Sequence, residues 1–591
     1  MKRKSKSNLF RKLVAATMAA GCIISLAACG NSDSGGGDAL TITYWSPRGE
    51  DASHYSEYEE NPIIKYIEGN YTFNDKKLHF DFFIAPPGSE SEDFATLIGT
   101  GDYCDVMDMS MSATTPVELY EEDIIWDLTA LVPENMPNYM AFLEANPECE
   151  SSIYNIVDGE KKILQLRGFT DEIQDSFQGF CYRRDWIAKY GTNPQTGEAF
   201  SYGFTDADDS ESWEDDVVFP SGADEPIYIS DWEWMFEIFE KAMEEQGISD
   251  GYCYSPYYLG YMQTGDLATG FGGGAPYWYE DNGICINGVT TDNFRAYLQC
   301  MNTWYQKGWI DSNFAEHTGD MFFAVDPAKV FQGKVGLWQG RTSTVGTQID
   351  ADDAYTDGAV VYGCRQPIND IYGGPEQQNT EPNHMYQFSK VRTSVVLTKK
   401  MDEEKVLAFL KFADFMFSEE GMLLRGGLNK EQYESCQDEF YTRLGLTEGL
   451  YSVVEEDGRK IIKYNIDTAD TAYNAATLDR MQPVLQKVSD VDKGYDRYLK
   501  QAIGSWDYYK NTAALSDGVL NAVSVEDAKS ITKIRANYDQ FLARTIAPMI
   551  KGSGYDIWDD ASWEQFINDV DKYQAGTVTE IYQKAIDLMA Q

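Results

Sequence analysis

From residue 39 onward the chain alternates strand-like and helix-like runs, and this order constrains its fold more than any other feature. Leu40-Thr41-Ile42-Thr43-Tyr44-Trp45 is rich in β-branched residues and reads as a strand. Asn61-Pro62 opens a helix in the expected order, a capping residue followed by proline at the first helical position. Leu78 to Ile84 alternates as a second strand, Ser91 to Ile98 reads as a short helix, and Asp105 to Met109 as a third strand. Parallel neighbours need a crossover, so this succession predicts a parallel, doubly wound sheet. Amphipathic helices follow. Trp232, Met235, Phe239 and Ala242 share one face behind a capping Asp231. Phe294, Tyr297, Leu298, Met301 and Tyr305 share another, ended by Gly308, and Val406, Phe409, Leu410 and Ala413 a third. The acidic stretch from Asp206 to Glu225 reads as an exposed loop, Ile531 to Ile550 as a helix, and the segment beyond it as two further helices.

The N-terminus is built for export. Lys2, Arg3, Lys4, Lys6, Arg11 and Lys12 form a basic head, Leu13 to Ala28 is a run of small and apolar residues, and Cys29 follows Leu26-Ala27-Ala28 directly. This resembles the lipobox of bacterial lipoproteins, which implies that Cys29 is acylated and becomes the first residue of the mature protein. The alternative is an ordinary secretory signal in which Cys29 is incidental. Residues 1–28 are thus expected to be a signal peptide. Residues 29–38, Gly/Ser/Asn/Asp-rich after the cysteine, are expected to be a flexible tether between lipid and folded domain. No later run supplies the ~18 consecutive apolar residues that span a bilayer, so the expected location is extracytoplasmic, anchored to the cell membrane through lipid only.

The folded remainder is too long for one hydrophobic core and fits two or three domains. The net charge of the whole chain is −48, and six of its cations lie in the signal, so the mature surface is more acidic still. Such a surface repels nucleic acid and anionic lipid, and weighs weakly against an anionic ligand. Eight cysteines beyond Cys29 are scattered with neither CxxC nor metal-ligand spacing, which leaves disulfides and buried thiols both open. The four histidines, His54, His79, His317 and His384, lie far apart, and HExxH, GxSxG and Walker-type motifs are absent. Asp490-Val491-Asp492-Lys493-Gly494 starts like a calcium loop but lacks the third ligand and the closing Glu. No catalytic residue, metal or cofactor is expected.

Landmarks along the whole mature chain resemble the extracellular solute-binding proteins of bacterial ABC importers (family 1), in particular the large LplA-like sugar-binding lipoprotein branch. Besides the lipobox they are Gly101-Asp102-Tyr103-Cys104-Asp105, Trp126-Asp127-Leu128, Asp158-Gly159 and Cys181-Tyr182-Arg183-Arg184-Asp185-Trp186. Trp304 to Asp311, Phe331 to Trp338, Phe417 to Gly421 and Ile581 to Asp587 continue the series. Tyr103-Cys104 departs from the family's proline before the aspartate, and Ile586 from its tyrosine. The resemblance implies an α/β, two-lobed periplasmic-binding-protein-like (type II) fold with discontinuous lobes and a ligand cleft between them. The expected boundaries are 39–165 plus 360–425 for lobe 1 and 166–359 plus 426–591 for lobe 2. It further implies a monomer that captures an oligosaccharide by hinge closure and delivers it to ABC transporter permease subunits. A peptide-binding lipoprotein of the same superfamily and a secreted glycoside hydrolase are the alternatives, with a surface-displayed lectin behind them.

A pyranose has an apolar C–H face and a rim of hydroxyls, so aromatic rings and carboxylate, amide or Arg groups recognise it together. The chain holds 39 Tyr, 13 Trp and 29 Phe, which fits such a cleft or an aromatic-rich core. Trp45 ends the first strand, where ligands gather in open α/β sheets. Ser110 follows the third strand and can donate a hydrogen bond. Trp278 and Tyr279 close the glycine-rich stretch from Gly272. Trp338 with Arg341 ends the strand after Gly333-Lys334, where the resemblance implies a sugar-stacking aromatic. Trp232, Tyr305 and the Trp506-Tyr508-Tyr509 cluster read as core, and Arg183 as a structural hydrogen-bonding residue.

Overall fold

The computed structural model describes residues 39–590 apart from 48–53, 55–57, 113, 206–211, 257–266, 273–276, 317–326, 352–355, 383–388, 457, 469 and 510–514. The signal, the tether and Cys29 lie outside the described residues. In chain order the strands begin with β1 (Ala39–Ser46), β2 (Lys77–Ile84), β3 (Val106–Asp108) and the pair β4 (Tyr154–Val157) and β5 (Glu160–Ile163). There follow β6 (Leu166–Thr170), β7 (Gln178–Arg183), β8 (Tyr252–Ser255), the pair β9 (Trp278–Asp281) and β10 (Ile284–Asn287), and β11 (Val335–Arg341). The series ends with β12 (Val361–Cys364), β13 (Val391–Leu397), the pair β14 (Tyr451–Glu456) and β15 (Arg459–Tyr464), and β16 (Leu485–Gln486).

Two sheets organise two lobes. The first has the order β16-β6-β13-β3-β1-β2, the second β12-β7-β11-β8. The expected parallel trio is present: β1 pairs in parallel with β2 and with β3. Its crossover helices are Pro62–Asn70, capped by the Asn61 side chain on the amides of Ile63 and Ile64, and Glu90–Thr100, ended by a left-handed Gly101. The sheet is mixed rather than wholly parallel, because β13 returns antiparallel between β3 and β6. The chain passes between the sheets in 171–177, 365–390 and 487–496, so each lobe is discontinuous.

The lobe boundaries differ from the expected ones. Leu166 and Phe169 of β6 belong to the core of the first lobe, as do Leu428, Tyr441, Ala476 and Leu485. Val361 of β12 packs in the second lobe with Cys181, Trp338 and Trp506, and Cys364 in its larger core. The reason is pairing: β6 is held by β13, β16 adds in parallel to β6, and β12 adds to β7. The buried Tyr44 hydroxyl donates to the Gln482 carbonyl (3.1 Å) and accepts from the Gln482 amide (3.0 Å), tying the chain beside β16 to β1.

Local readings are confirmed or corrected by the same packing. Asp292–Lys307 ends on a left-handed Gly308, and Glu403–Phe415 buries Val406, Phe409, Leu410 and Ala413. Val525–Ile550, Asp560–Asp571 and Ala575–Met589 are helices as read. Asp231 is not the N-cap of helix Ile229–Gln246. It lies in the first turn, its carboxylate accepting the amides of Ser221, Ile227 and Tyr228. The acidic stretch 206–225 is not simply an exposed loop, since Trp213, Val217 and Phe219 enter the large core and Glu214 is buried. The eight described cysteines form no disulfide; Cys436 alone is exposed, and burial pushes the Cys181 thiol up to about 12.

Arg183, at the end of β7, is buried. Its guanidinium donates to both oxygens of buried Asp185 (2.8 and 2.7 Å) and to the Gly333 carbonyl (3.1 Å), and lies over Trp186. Asp185 also accepts the Val360 amide (3.1 Å), so one ion pair fixes β7 against β11 and β12. A buried pair loses most when one partner is removed, because the other charge stays buried. Asp185→Asn is expected to lower unfolding free energy by about 3–5 kcal/mol, read from urea denaturation followed by far-UV circular dichroism. In native protein spanning 39–591, a thiol reagent is expected to titrate Cys436 first, and the other seven only after denaturation.

Candidate functional site

Strand direction decides where the two lobes can offer a site. β1, β2 and β3 end, β6 and β16 end, and β13 begins at one edge of the first sheet. β8, β11 and β12 end and β7 begins at one edge of the second sheet. All three crossovers leave from these edges, so the carboxyl ends of both sheets border the junction of the lobes, where open α/β sheets hold ligands.

The crossovers are joined side by side. The Thr170 amide donates to Lys390 O (2.8 Å) and the Asp171 amide to Gln486 O (3.0 Å). The Asp171 carboxylate accepts from Lys487 Nζ (2.8 Å), Ser489 Oγ (2.5 Å) and the amides of Val488 (2.6 Å) and Ser489 (3.1 Å). Burial pushes this carboxyl up, but the donors from Lys487, Ser489 and Val488 together outweigh it and hold it below the usual carboxylate value. Further along, Lys493 donates to Asp175 (2.6 Å). A recess of about 270 Å³ lies against these segments, walled by Tyr464, Tyr473 and Tyr495.

At the second sheet's edge two exposed aromatic rings stand beside a half-buried ion pair. Phe177, the residue before β7, is 46% exposed, and Tyr508, past helix Arg497–Trp506, is 58% exposed. They are brought together because the Ser176 amide donates to Asp507 Oδ1 (3.0 Å). Gly179 allows this approach: a Cβ there would lie 2.2 Å from the Trp506 ring, whose Nε1 donates to Phe180 O (2.9 Å). The Arg365 guanidinium lies over the Tyr508 ring at 3.7 Å and is ion-paired with Glu225, which also accepts from Ser505 Oγ (2.9 Å). Two exposed rings thus stand beside a stacked guanidinium and a carboxylate, an apolar surface next to hydroxyl-binding groups.

The sequence-predicted residues separate into two groups. Ser110 is exposed just past β3, its amide on Asp108 Oδ1 (2.8 Å), next to exposed Met111. Arg341 ends β11 opposite Gln178, at the same edge as Phe177. The aromatic candidates lie elsewhere. Trp45 is buried beneath helix Glu90–Thr100, its Nε1 donating to Asp93 (2.8 Å) and its ring edge-on to Phe94. Trp278 and Tyr279 are buried where β9 packs on the C-terminal helices, Trp278 donating to Thr579 (2.9 Å) and facing Tyr538. Burial pushes the Tyr279 phenol up to about 12. Trp338 is buried with Cys181, Val345 and Trp506. Part of the glycine-rich stretch, 273–276, lies outside the described residues. Phe177 and Tyr508 were missed because the first sits behind a polar run and the second beside a core tryptophan. The cue was their place at a crossover and past a helix end.

Among the described residues no group of three or more His, Cys, Asp or Glu could hold a metal ion, and none of their helices is long and apolar enough to cross a membrane. His54 and His79 are occupied with Thr471 and Glu68 in the first lobe.

No protein-family model and no curated protein matches the sequence. Solved structures do match the fold. An extracellular solute-binding protein from Bifidobacterium longum subsp. infantis shares 14% identity at a TM-score of 0.63, over 93% of this chain and 98% of its own. An HMO-binding, ABC-transporter-associated solute-binding protein from Bifidobacterium longum infantis shares 14% at 0.61, over 93% and 99%. The substrate-binding protein FusA of Streptococcus pneumoniae, in complex with kestose, shares 14% at 0.56, over 93% and 99%. The chain therefore has the two-lobed α/β fold of periplasmic-binding-protein type II.

The depressed Asp171 carboxyl sets a pH dependence. A carboxyl held below its unfolded value of about 3.9 stabilises the fold above that value and loses the contribution as pH falls through the folded one. Asp171→Asn is expected to cost about 1–3 kcal/mol at pH 7. The difference from the parent should shrink below about pH 4, read from urea midpoints across pH.

Proposed function

We propose that this chain is a substrate-binding protein that captures an oligosaccharide between its lobes and presents it to the permease of an ABC importer. One observation carries the reading: exposed Phe177 and Tyr508 stand beside the half-buried Arg365–Glu225 pair at the lobe junction, where stitched crossovers join two sheets by their carboxyl edges. Solved structures with this fold include ones whose own ligands are kestose and alginate, which supports a carbohydrate as the class. A cleft between lobes on three crossovers can close by rotation about the Asp171 and Asp175 region, burying a ligand that an open form admits. The closed shape is then what a permease reads. The Arg365 charge is balanced by Glu225, which suits a ligand of hydroxyls better than one of carboxylates. Lipid on Cys29, outside the cell membrane, would keep the protein beside its permease and raise its effective concentration there. The role is binding without turnover, and the working unit is a monomer.

The test is a thermal-shift screen of residues 39–591 against soluble oligosaccharides and peptides, with reducing-end release followed in parallel. One glycan family is expected to raise the melting temperature without releasing reducing ends. Tyr508→Ala and Phe177→Ala should each weaken that glycan at least tenfold by calorimetry, about 1.4 kcal/mol, with the unliganded melting temperature almost unchanged. Released reducing ends would make the protein a glycoside hydrolase, and a shift with peptides alone would make it a peptide binder.

A further inference from the structure

We propose that the second lobe carries a separate contact site for neutral glycans, built on Trp558 and outside the junction of the lobes. A groove of about 590 Å³ runs between the first turns of helix Asp292–Lys307, the segment 371–377 and the loop before helix Asp560–Asp571. That volume lies in the range of small-ligand sites, about 300–1,000 Å³.

Trp558 is 55% exposed on the wall of this groove. It is nevertheless held from both ends. Its indole N–H donates to Asn302 Oδ1 (3.2 Å) and its amide to Asp556 Oδ1 (2.9 Å), while Asn302 Nδ2 is itself bound to Ile550 O (3.0 Å). The loop beneath is braced by helix Asp292–Lys307: Arg295 Nε donates to Ile557 O (2.8 Å), and Gln299 Nε2 to the same carbonyl (3.2 Å). Arg295 Nη1 pairs with Asp560 (2.8 Å). A large apolar ring left in water is opposed by the hydrophobic effect, and fixing it there with hydrogen bonds prepares a flat face for a partner.

The rest of the groove fits a sugar. Gly373 faces the groove with φ of +75°, and a Cβ there would come within 2.9 Å of both Ala296 Cβ and Gln377 Cβ, so glycine lets the segment lie close to the helix. Asp292 and Asp560 stand exposed beside the indole and can accept from hydroxyls. The one guanidinium, Arg295, is matched by Asp560, and Asp292 makes the lining net negative. Uronates, sulfates and phosphates are repelled by such a lining, which leaves a neutral glycan as the class. The lining comes from the second lobe and from the part of the 365–390 crossing whose Tyr372 packs in that lobe's core.

The experiment is affinity electrophoresis of residues 39–591, a span that contains the cores of both lobes. The gels are cast with soluble starch, galactomannan, laminarin or inulin, and with alginate as the anionic comparator. Retardation is expected in at least one neutral gel and not in alginate. Trp558→Ala should weaken it at least tenfold, Trp558→Phe should keep most of it, and Tyr508→Ala should leave it unchanged. Trp558→Ala should also leave the oligosaccharide thermal shift of the cleft unchanged, so failure at either site is read separately. No retardation in any neutral gel, equal retardation of parent and Trp558→Ala, or retardation in alginate alone overturns the proposal. Should Trp558→Ala fail to fold, Asp292→Lys on the exposed rim replaces it, with the same weakening expected and an unchanged affinity counting against the site.

Discussion

Asp171 is the group on which the arrangement of the two lobes depends. Its carboxylate binds four donors on the segment that leaves β16, and its own amide binds Gln486. Thr170 beside it holds the third crossing through Lys390. Two residues therefore gather chain segments more than 200 positions apart. A carboxylate suits the task because amides and an ammonium can converge on it, and charge-assisted bonds of this kind are about twice as strong as neutral ones. The crossings are thereby stitched together at their roots. The carboxyl edges of both sheets border this stitched region.

The sequence made the first lobe's opening legible because its signals are local. Asn61-Pro62 names a helix start, β-branched alternation names β1 and β2, and parallel strands demand the crossover between them. What was not legible depends on pairing across long separations. Nothing near Leu485 announces that it will add to β6, more than 300 residues earlier, and nothing near Val361 announces a partner in Arg183. The boundaries expected at 360 and 426 therefore fell on the wrong side of two strands. Asp231 shows the same limit on a smaller scale. An aspartate before a helical run reads as a cap, but its carboxylate is drawn one turn inward by three amides of the preceding loop.

The site was harder to read than the fold, and the aromatic residues show why. Trp45, Trp278 and Trp338 read as site residues in the sequence because tryptophan at a strand end or in a glycine-rich loop can stack on a sugar. A tryptophan at a strand end also has the largest surface to bury, and burial of that surface is the dominant favourable term in folding. Each of the three is covered by its own lobe, under a helix, against the C-terminal helices or with Val345 and Trp506. Ser110, just past β3, and Arg341, the last residue of β11, lie at the sheet edges.

Exposure separates a binding aromatic from a packing one, and exposure comes from what surrounds a residue rather than from what it is. Trp506 and Tyr508 lie in one turn of sequence with opposite fates. Trp506 enters the space that Gly179 leaves over β7, and this anchor fixes the direction in which the chain then leaves the helix. Tyr508 is carried past the sheet edge by that geometry, where Arg365 lies over its ring, Tyr509 packs edge-to-face with it, and more than half of the residue stays in solvent. Trp558 follows the same rule from the opposite direction: its edge is tied to Asn302, so its ring cannot turn inward. In both places a buried or hydrogen-bonded neighbour holds an apolar ring in water, against the hydrophobic effect that would otherwise turn it inward.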